Sequence, residues 1–112
     1  MPFAKKLFGS IAVTALLAVS FPVLAADQIV AIAVTDKGYA PAEVEVQAGG
    51  RVRLDVTNQT TAAIEFESFE LNRERVVQPG QTVAVYVSGL GAGRYEFFDD
   101  FHQERRGALV VK

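Results

Sequence analysis

The chain has 112 residues, with 11 Lys plus Arg against 13 Asp plus Glu, one histidine and no cysteine. A mildly acidic chain without a basic tract is a poor partner for nucleic acid or an anionic membrane surface. The missing cysteines exclude disulfides, thiolate catalysis, cysteine-based zinc sites and iron–sulfur clusters.

Residues 1–26 read as a secretory signal. Lys5 and Lys6 are basic, Leu7 to Val19 is mostly apolar or small, and Phe21 to Ala26 ends in small residues suited to cleavage after Ala25 or Ala26. A retained anchor is the alternative, but the apolar run falls short of the ~20 residues that a span needs. Removing 1–26 takes away Lys5 and Lys6, so nine basic residues face thirteen acidic ones, a net charge of −4. Residues 27–112 then form one small domain held by its core alone.

From there the pattern has period two, which predicts an all-β fold. Val30, Ile32 and Val34 alternate with Ala31 and Ala33, and Val44 and Val46 with Glu43, Glu45 and Gln47. Gly49-Gly50 turns the chain into Val52, Leu54 and Val56, set against Arg51, Arg53 and Asp55. After a loop at 58–61, Ile64 and Phe66 alternate with Glu65 and Glu67. Segment 69–77 is the least regular piece, and Phe69-Glu70-Leu71-Asn72 reads as the start of a loop or one helical turn between the sheets. Pro79-Gly80 turns into Val83, Val85 and Val87, Gly89 to Gly93 makes a corner, and Tyr95 and Phe97 open a strand. Ala108 to Val111 closes the domain. The sum is seven or eight strands in a two-sheet sandwich. The glycine-rich corner precedes a strand and no Lys-Ser/Thr follows it, so it is not a phosphate loop. The single histidine belongs to no Ser-His-Asp arrangement, which disfavours a hydrolase.

Strand parity singles out Asp99. It shares a face with Tyr95 and Phe97, and a carboxylate among apolar side chains costs several kcal/mol, roughly, unless it is paired or protonated. A metal ion, an arginine or a proton would each relieve it. Asp100 falls on the opposite face, and His102 and Glu104 follow within reach. Glu65 and Glu67, two apart, point the same way.

The stretch YEFFDDFHQERRGALVV, Tyr95 to Val111, has the frame of a type 1 copper loop without its sulfur ligands. The chain resembles the cupredoxin-like domain family from about Lys37 to Lys112. EFES, LNRE, VVQPGQT and FFDDFH resemble its EfeO-type branch, the small cysteine-free proteins of bacterial high-affinity iron uptake. Tyr95, Phe97, His102, Gly107 and Leu109 fall on the frame, while Asp99 stands in the cysteine slot and Arg105 in the methionine slot. The resemblance implies that the strand carrying Glu65 and Glu67 lies beside the site strand. The expected cluster is then Glu65, Glu67, Asp99, Asp100, His102 and Glu104, oxygen-rich with one imidazole, suited to iron, Mn(II) or Cu(II) rather than to a blue-copper centre.

The resemblance thus implies a periplasmic metal-binding accessory of an iron uptake system, carrying an iron or copper ion and working with an iron permease. A ferroxidase and a metal-free interaction sandwich are the alternatives. In the last case Arg105, Arg106, Arg73 and Arg75 would pair with the acids, and the acidic strands would be solvated faces. A homodimer would bring two His102 side chains together.

Overall fold

A computed structural model describes residues 9–18 and 27–112. Residues 9–18 are exposed and form no strand or helix. The expected cleavage positions after Ala25 or Ala26 lie outside the described residues.

The domain is all β. Its strands are β1 (Gln28–Thr35), β2 (Gly38–Ala40), β3 (Glu43–Val46), β4 (Arg51–Asn58), β5 (Ile64–Ser68), β6 (Arg73–Val77), β7 (Thr82–Ser88), β8 (Gly93–Asp99) and β9 (His102–Val111). They form a four-stranded sheet, β2-β1-β4-β7, and a five-stranded sheet, β3-β9-β8-β5-β6. Pairs β1–β4 and β3–β9 are parallel, and the rest are antiparallel. Among the described residues no helix is long and apolar enough to cross a membrane.

The period-two residues make the core. Ile32, Val34, Val52, Leu54, Val56, Val85 and Val87 from one sheet face Val44, Val46, Ile64, Phe66, Val77, Phe97, Leu109 and Val111 from the other. Each such side chain contributes roughly 1.5–3 kcal/mol on full burial. Tyr39, Phe66 and Phe97 pack edge-on or tilted, with ring centroids 4.8–6.3 Å apart. The one buried side-chain amide among the described residues, Asn58, is fully used: it donates to Ala62 O and Val77 O and accepts from the amide and hydroxyl of Thr60. This ties the loop at 58–61 to β6 without leaving a polar atom stranded.

Nine strands appear where seven or eight were expected. The three-residue β2 gives little sequence signal. The other addition, β6, occupies the segment expected to be irregular. Only Phe69 to Asn72 turns there, with Asn72 at φ 52° and Leu71 N donating to Ser68 Oγ. Strand β6 is hard to read because its inward positions near the sheet edge carry Arg73 and Arg75. Their guanidinium groups reach across the open side of the sandwich to Tyr86 O and Ala84 O of β7, at 2.9 and 3.3 Å. The edge carbonyls of one sheet are thus capped by side chains from the edge of the other.

Candidate functional site

Strands β8 and β9 meet in a tight hairpin, with Asp99 paired to His102 across Asp100-Phe101. The next pair back is Phe98 with Arg106, so Gln103, Glu104 and Arg105 have no partner on β8. This bulge turns Arg105 inward, where it is 8% exposed, beneath a fully buried Asp99.

Of the three ways to satisfy Asp99, the structure uses the arginine. Asp99 Oδ1 accepts from Glu65 N at 3.0 Å and Phe101 N at 3.1 Å, and Oδ2 accepts from Arg105 Nη1 at 3.1 Å. His102 Nδ1 lies 3.5 Å from Oδ2, with its ring half exposed. The second Arg105 terminal nitrogen lies 3.6 Å from the exposed Asp36. Arg105 Nε and Tyr39 Oη are buried without a hydrogen-bond partner. Burial, then the charge of Asp99, pushes the Tyr39 hydroxyl well above the usual tyrosine range.

These donors do not fit a sulfur-ligated copper centre. The chain has no thiolate, the carboxylate in the cysteine slot is engaged by two amides and a guanidinium, and a cation stands in the methionine slot.

A second arrangement lies on the outer face of the same sheet. Strand β5 lies beside β8, as the resemblance implied, and carries β6 on its other side. Glu67 stands directly opposite Glu74 on β6, and Glu65 is two residues along on the same face. One carboxylate oxygen from each of Glu65, Glu67 and Glu74 falls within 4.8 Å of the others, and no ion pair to any of the three occurs among the described residues. Like charges facing each other across a ladder destabilise it. Burial, a side-chain hydrogen bond with Glu74 and the charges of Glu74, Asp100 and Glu67 push the Glu65 carboxyl up to about 6. Burial, then Glu74 and Asp100, raises Glu67 as well. The hairpin turn places Asp100 here: its amide donates to Glu65 O at 2.9 Å. A cleft of about 170 Å³ lined by Glu67, Ser68, Phe69, Asn72, Arg73 and Glu74 opens beside the group. Phe98, under Phe69 and the Arg106 guanidinium, floors the same face.

Of the six residues singled out in the sequence, the structure therefore gathers Glu65 and Glu67, with Asp100 adjoining. It engages Asp99 with Arg105, leaves His102 against Asp99, and puts Glu104 exposed in the bulge. Glu74 was missed. Its signal was the spacing LNRE-RVV, which reads as a strand only once Arg73 and Arg75 are recognised as edge residues.

The sign of the pH dependence at Glu65 follows from its position. Its pKa is raised from 4.5 to about 6, so the folded chain holds that proton more tightly than the unfolded chain. The resulting stabilisation is complete below pH 4.5 and is lost as pH rises through about 6. A carboxyl-carbon NMR titration is expected to place the Glu65 midpoint near 6, and Glu74→Gln to move it down. A wild-type midpoint of 4.5 would contradict the arrangement.

A family model described as "Cupredoxin-like domain" matches residues 8–111. An uncharacterized protein of Rickettsia prowazekii is 34% identical over 82 residues, 73% of this chain, and the chain spans 66% of that relative's length. Among solved structures, the metal-binding domain of the Cu(I)-exporting P-type ATPase CopA of Streptococcus pneumoniae, with Cu(I), superposes with a TM-score of 0.67 at 19% identity. It covers 77% of this chain and 86% of that one. Auracyanin A, a "blue" copper protein of Chloroflexus aurantiacus, gives a TM-score of 0.66 at 14% identity over 78% of this chain and 100% of that one. A purple cupredoxin of Nitrosopumilus maritimus gives 0.58 at 19% identity, over 74% of this chain and 99% of that one. At these identities the likeness is one of fold.

Proposed function

Since the chain belongs to the cupredoxin-like domain family, we propose that it is a metal-binding accessory protein whose ion sits outside the family's usual sulfur-ligated pole, on the Glu65–Glu67–Glu74 face. The observation that carries this reading is the unpaired carboxylate trio across β5 and β6. Three converging carboxylates cost stability when empty and gain it when a cation neutralises them. Oxygen donors suit iron, Mn(II) or Cu(II), and no soft ligand biases the site toward Cu(I). Asp100 adds charge from the hairpin, and the adjoining cleft leaves room for water or a second ligand. The names of the Cu(I)-exporting ATPase domain and the copper proteins support a metal role for the fold.

The finer reading is that of an exported accessory of high-affinity iron uptake, periplasmic after loss of residues 1–26 and handing iron to a membrane permease. It rests on the EFES and FFDDFH words and on the hard donor set. Simple binding is favoured over ferroxidase chemistry, because the trio is the one group of three or more candidate ligands among the described residues, with no second such group to hold another ion beside it. The metal-free interaction sandwich is the second reading, favoured by the Asp99–Arg105 ion pair at the pole.

Equilibrium dialysis of the protein against Fe(II) without oxygen, Fe(III)-citrate, Mn(II) and Cu(II) tests the proposal. One ion per chain is expected, and E67Q/E74Q is expected to lower retention at least about tenfold, or ~1.4 kcal/mol. Affinity is expected to weaken below about pH 6, where Glu65 takes up its proton. Equal retention by wild type and E67Q/E74Q would remove the trio from the account.

A further inference from the structure

The hairpin pole carries a separate inference, independent of the outer carboxylates. We propose that Arg105 is the resident cation of the β8–β9 pole, masking a latent divalent-cation site built on Asp99 and His102.

Four observations converge on it. Asp99 is fully buried on the inner face, yet it is placed with care: two backbone amides fix Oδ1, from Glu65 on β5 and from Phe101 in the hairpin. That leaves Oδ2 to be satisfied by a positive charge. The charge comes from Arg105, 3.1 Å away, delivered by the unpaired stretch 103–105 of β9. A regular hairpin would carry Arg105 past the pole, so the bulge is what brings the guanidinium to Asp99. Third, His102 Nδ1 already lies 3.5 Å from the same Oδ2 with its ring half open to solvent, so an oxygen and a nitrogen donor face one point. Fourth, the guanidinium is imperfectly housed. Its Nε has no partner, nor has the neighbouring Tyr39 Oη, and both atoms are buried. An arginine kept where it cannot satisfy all its donors is being kept for its charge.

The guanidinium and a metal ion are alternative solutions to one electrostatic problem: a buried carboxylate that must meet a cation. While Arg105 is present, a divalent ion entering beside Asp99 meets a like charge at contact distance. The pole is therefore closed to ions without any lid. Removing the guanidinium leaves Oδ2 buried and unpaired next to an imidazole, with Tyr39 Oη as a further polar neighbour.

The test reads the His102 ring nitrogens by NMR on addition of Zn(II), which is diamagnetic and takes nitrogen and oxygen donors. All proteins carry E67Q/E74Q, so the outer face does not compete and a failure here is separable from a failure there. With Arg105 in place, one equivalent of Zn(II) is expected to leave the His102 resonances unmoved. R105A is expected to show a saturable shift of one ring nitrogen, lost in H102A/R105A and absent in R105K, which keeps the charge. If R105A is unfolded without metal, folding restored by Zn(II) has the same meaning. A stoichiometric His102 shift with Arg105 present, no shift in a folded R105A, or an R105A that Zn(II) does not restore would each overturn the proposal.

Discussion

Asp99→Ala is expected to be the most damaging single substitution in the domain. It removes the acceptor of the Glu65 and Phe101 amides and strands the Arg105 guanidinium in the interior. Breaking a buried pair by deleting one partner costs roughly 3–5 kcal/mol, much of a small domain's total of about 5–15 kcal/mol. In a domain of this size that is a fall in Tm of roughly 15 °C or more. Urea or thermal unfolding followed by circular dichroism reads the effect. D99N/R105M is the informative companion: the amide oxygen still accepts from the two backbone N–H groups, and no charge is buried. It is expected to be much nearer wild type, because pairing two ions in the interior gains little over an uncharged pair. A loss below ~1 kcal/mol for D99A would mean that Asp99 is not the anchor of this hairpin.

The second large effect is expected at Gly107. Its φ is unexceptional, so the requirement is space. A Cβ there would lie in hard contact with Phe97 Cε2, 2.8 Å from Phe97 Cζ and 3.0 Å from Ala42 O. None of these can retreat cheaply. Phe97 is fully buried, with Tyr39 and Phe66 packed against it, and Ala42 O is held by the Ala108 amide at 2.8 Å. Overpacking of this kind costs typically 1–3 kcal/mol. With two rigid neighbours, G107A is expected at or above the top of that range, about 3 kcal/mol. F97L/G107A should recover part of the loss, a coupling that a double-mutant cycle measures directly. An unchanged midpoint for G107A would mean that β9 moves freely against β8.

The sandwich was legible because its inward residues are apolar and alternate. Val52, Leu54 and Val56 announce a strand, and the parity that put Asp99 beside Phe97 correctly placed a carboxylate in the interior. Two features escaped because they are non-local. The bulge at 103–105 depends on how β9 registers with β8, and nothing in QERR fixes that register. Strand β6 escaped because its inward positions are arginines whose acceptors are carbonyls of β7, about ten residues away along the chain. Losing β6 meant losing Glu74, and so seeing a carboxylate pair where the fold makes a trio. The three acids close to His102 in sequence go to three places: Asp99 into the interior against Arg105, Asp100 beside Glu65 on the outer face, and Glu104 exposed in the bulge. Proximity along a hairpin says little about which face a side chain takes.

The arginines that bridge β6 and β7 also govern how the protein can be recognised. A sheet edge with free carbonyls templates strand addition by a peptide or a second copy. Here the Ala84 and Tyr86 carbonyls are already occupied by Arg75 and Arg73. The opposite edges, β2 and β3, offer only three and four residues. Backbone-led docking is therefore obstructed along β7 and cut short along β2 and β3. A partner that approaches these edges has to read side chains instead, and its selectivity there depends on outward-facing chemistry rather than on main-chain pairing.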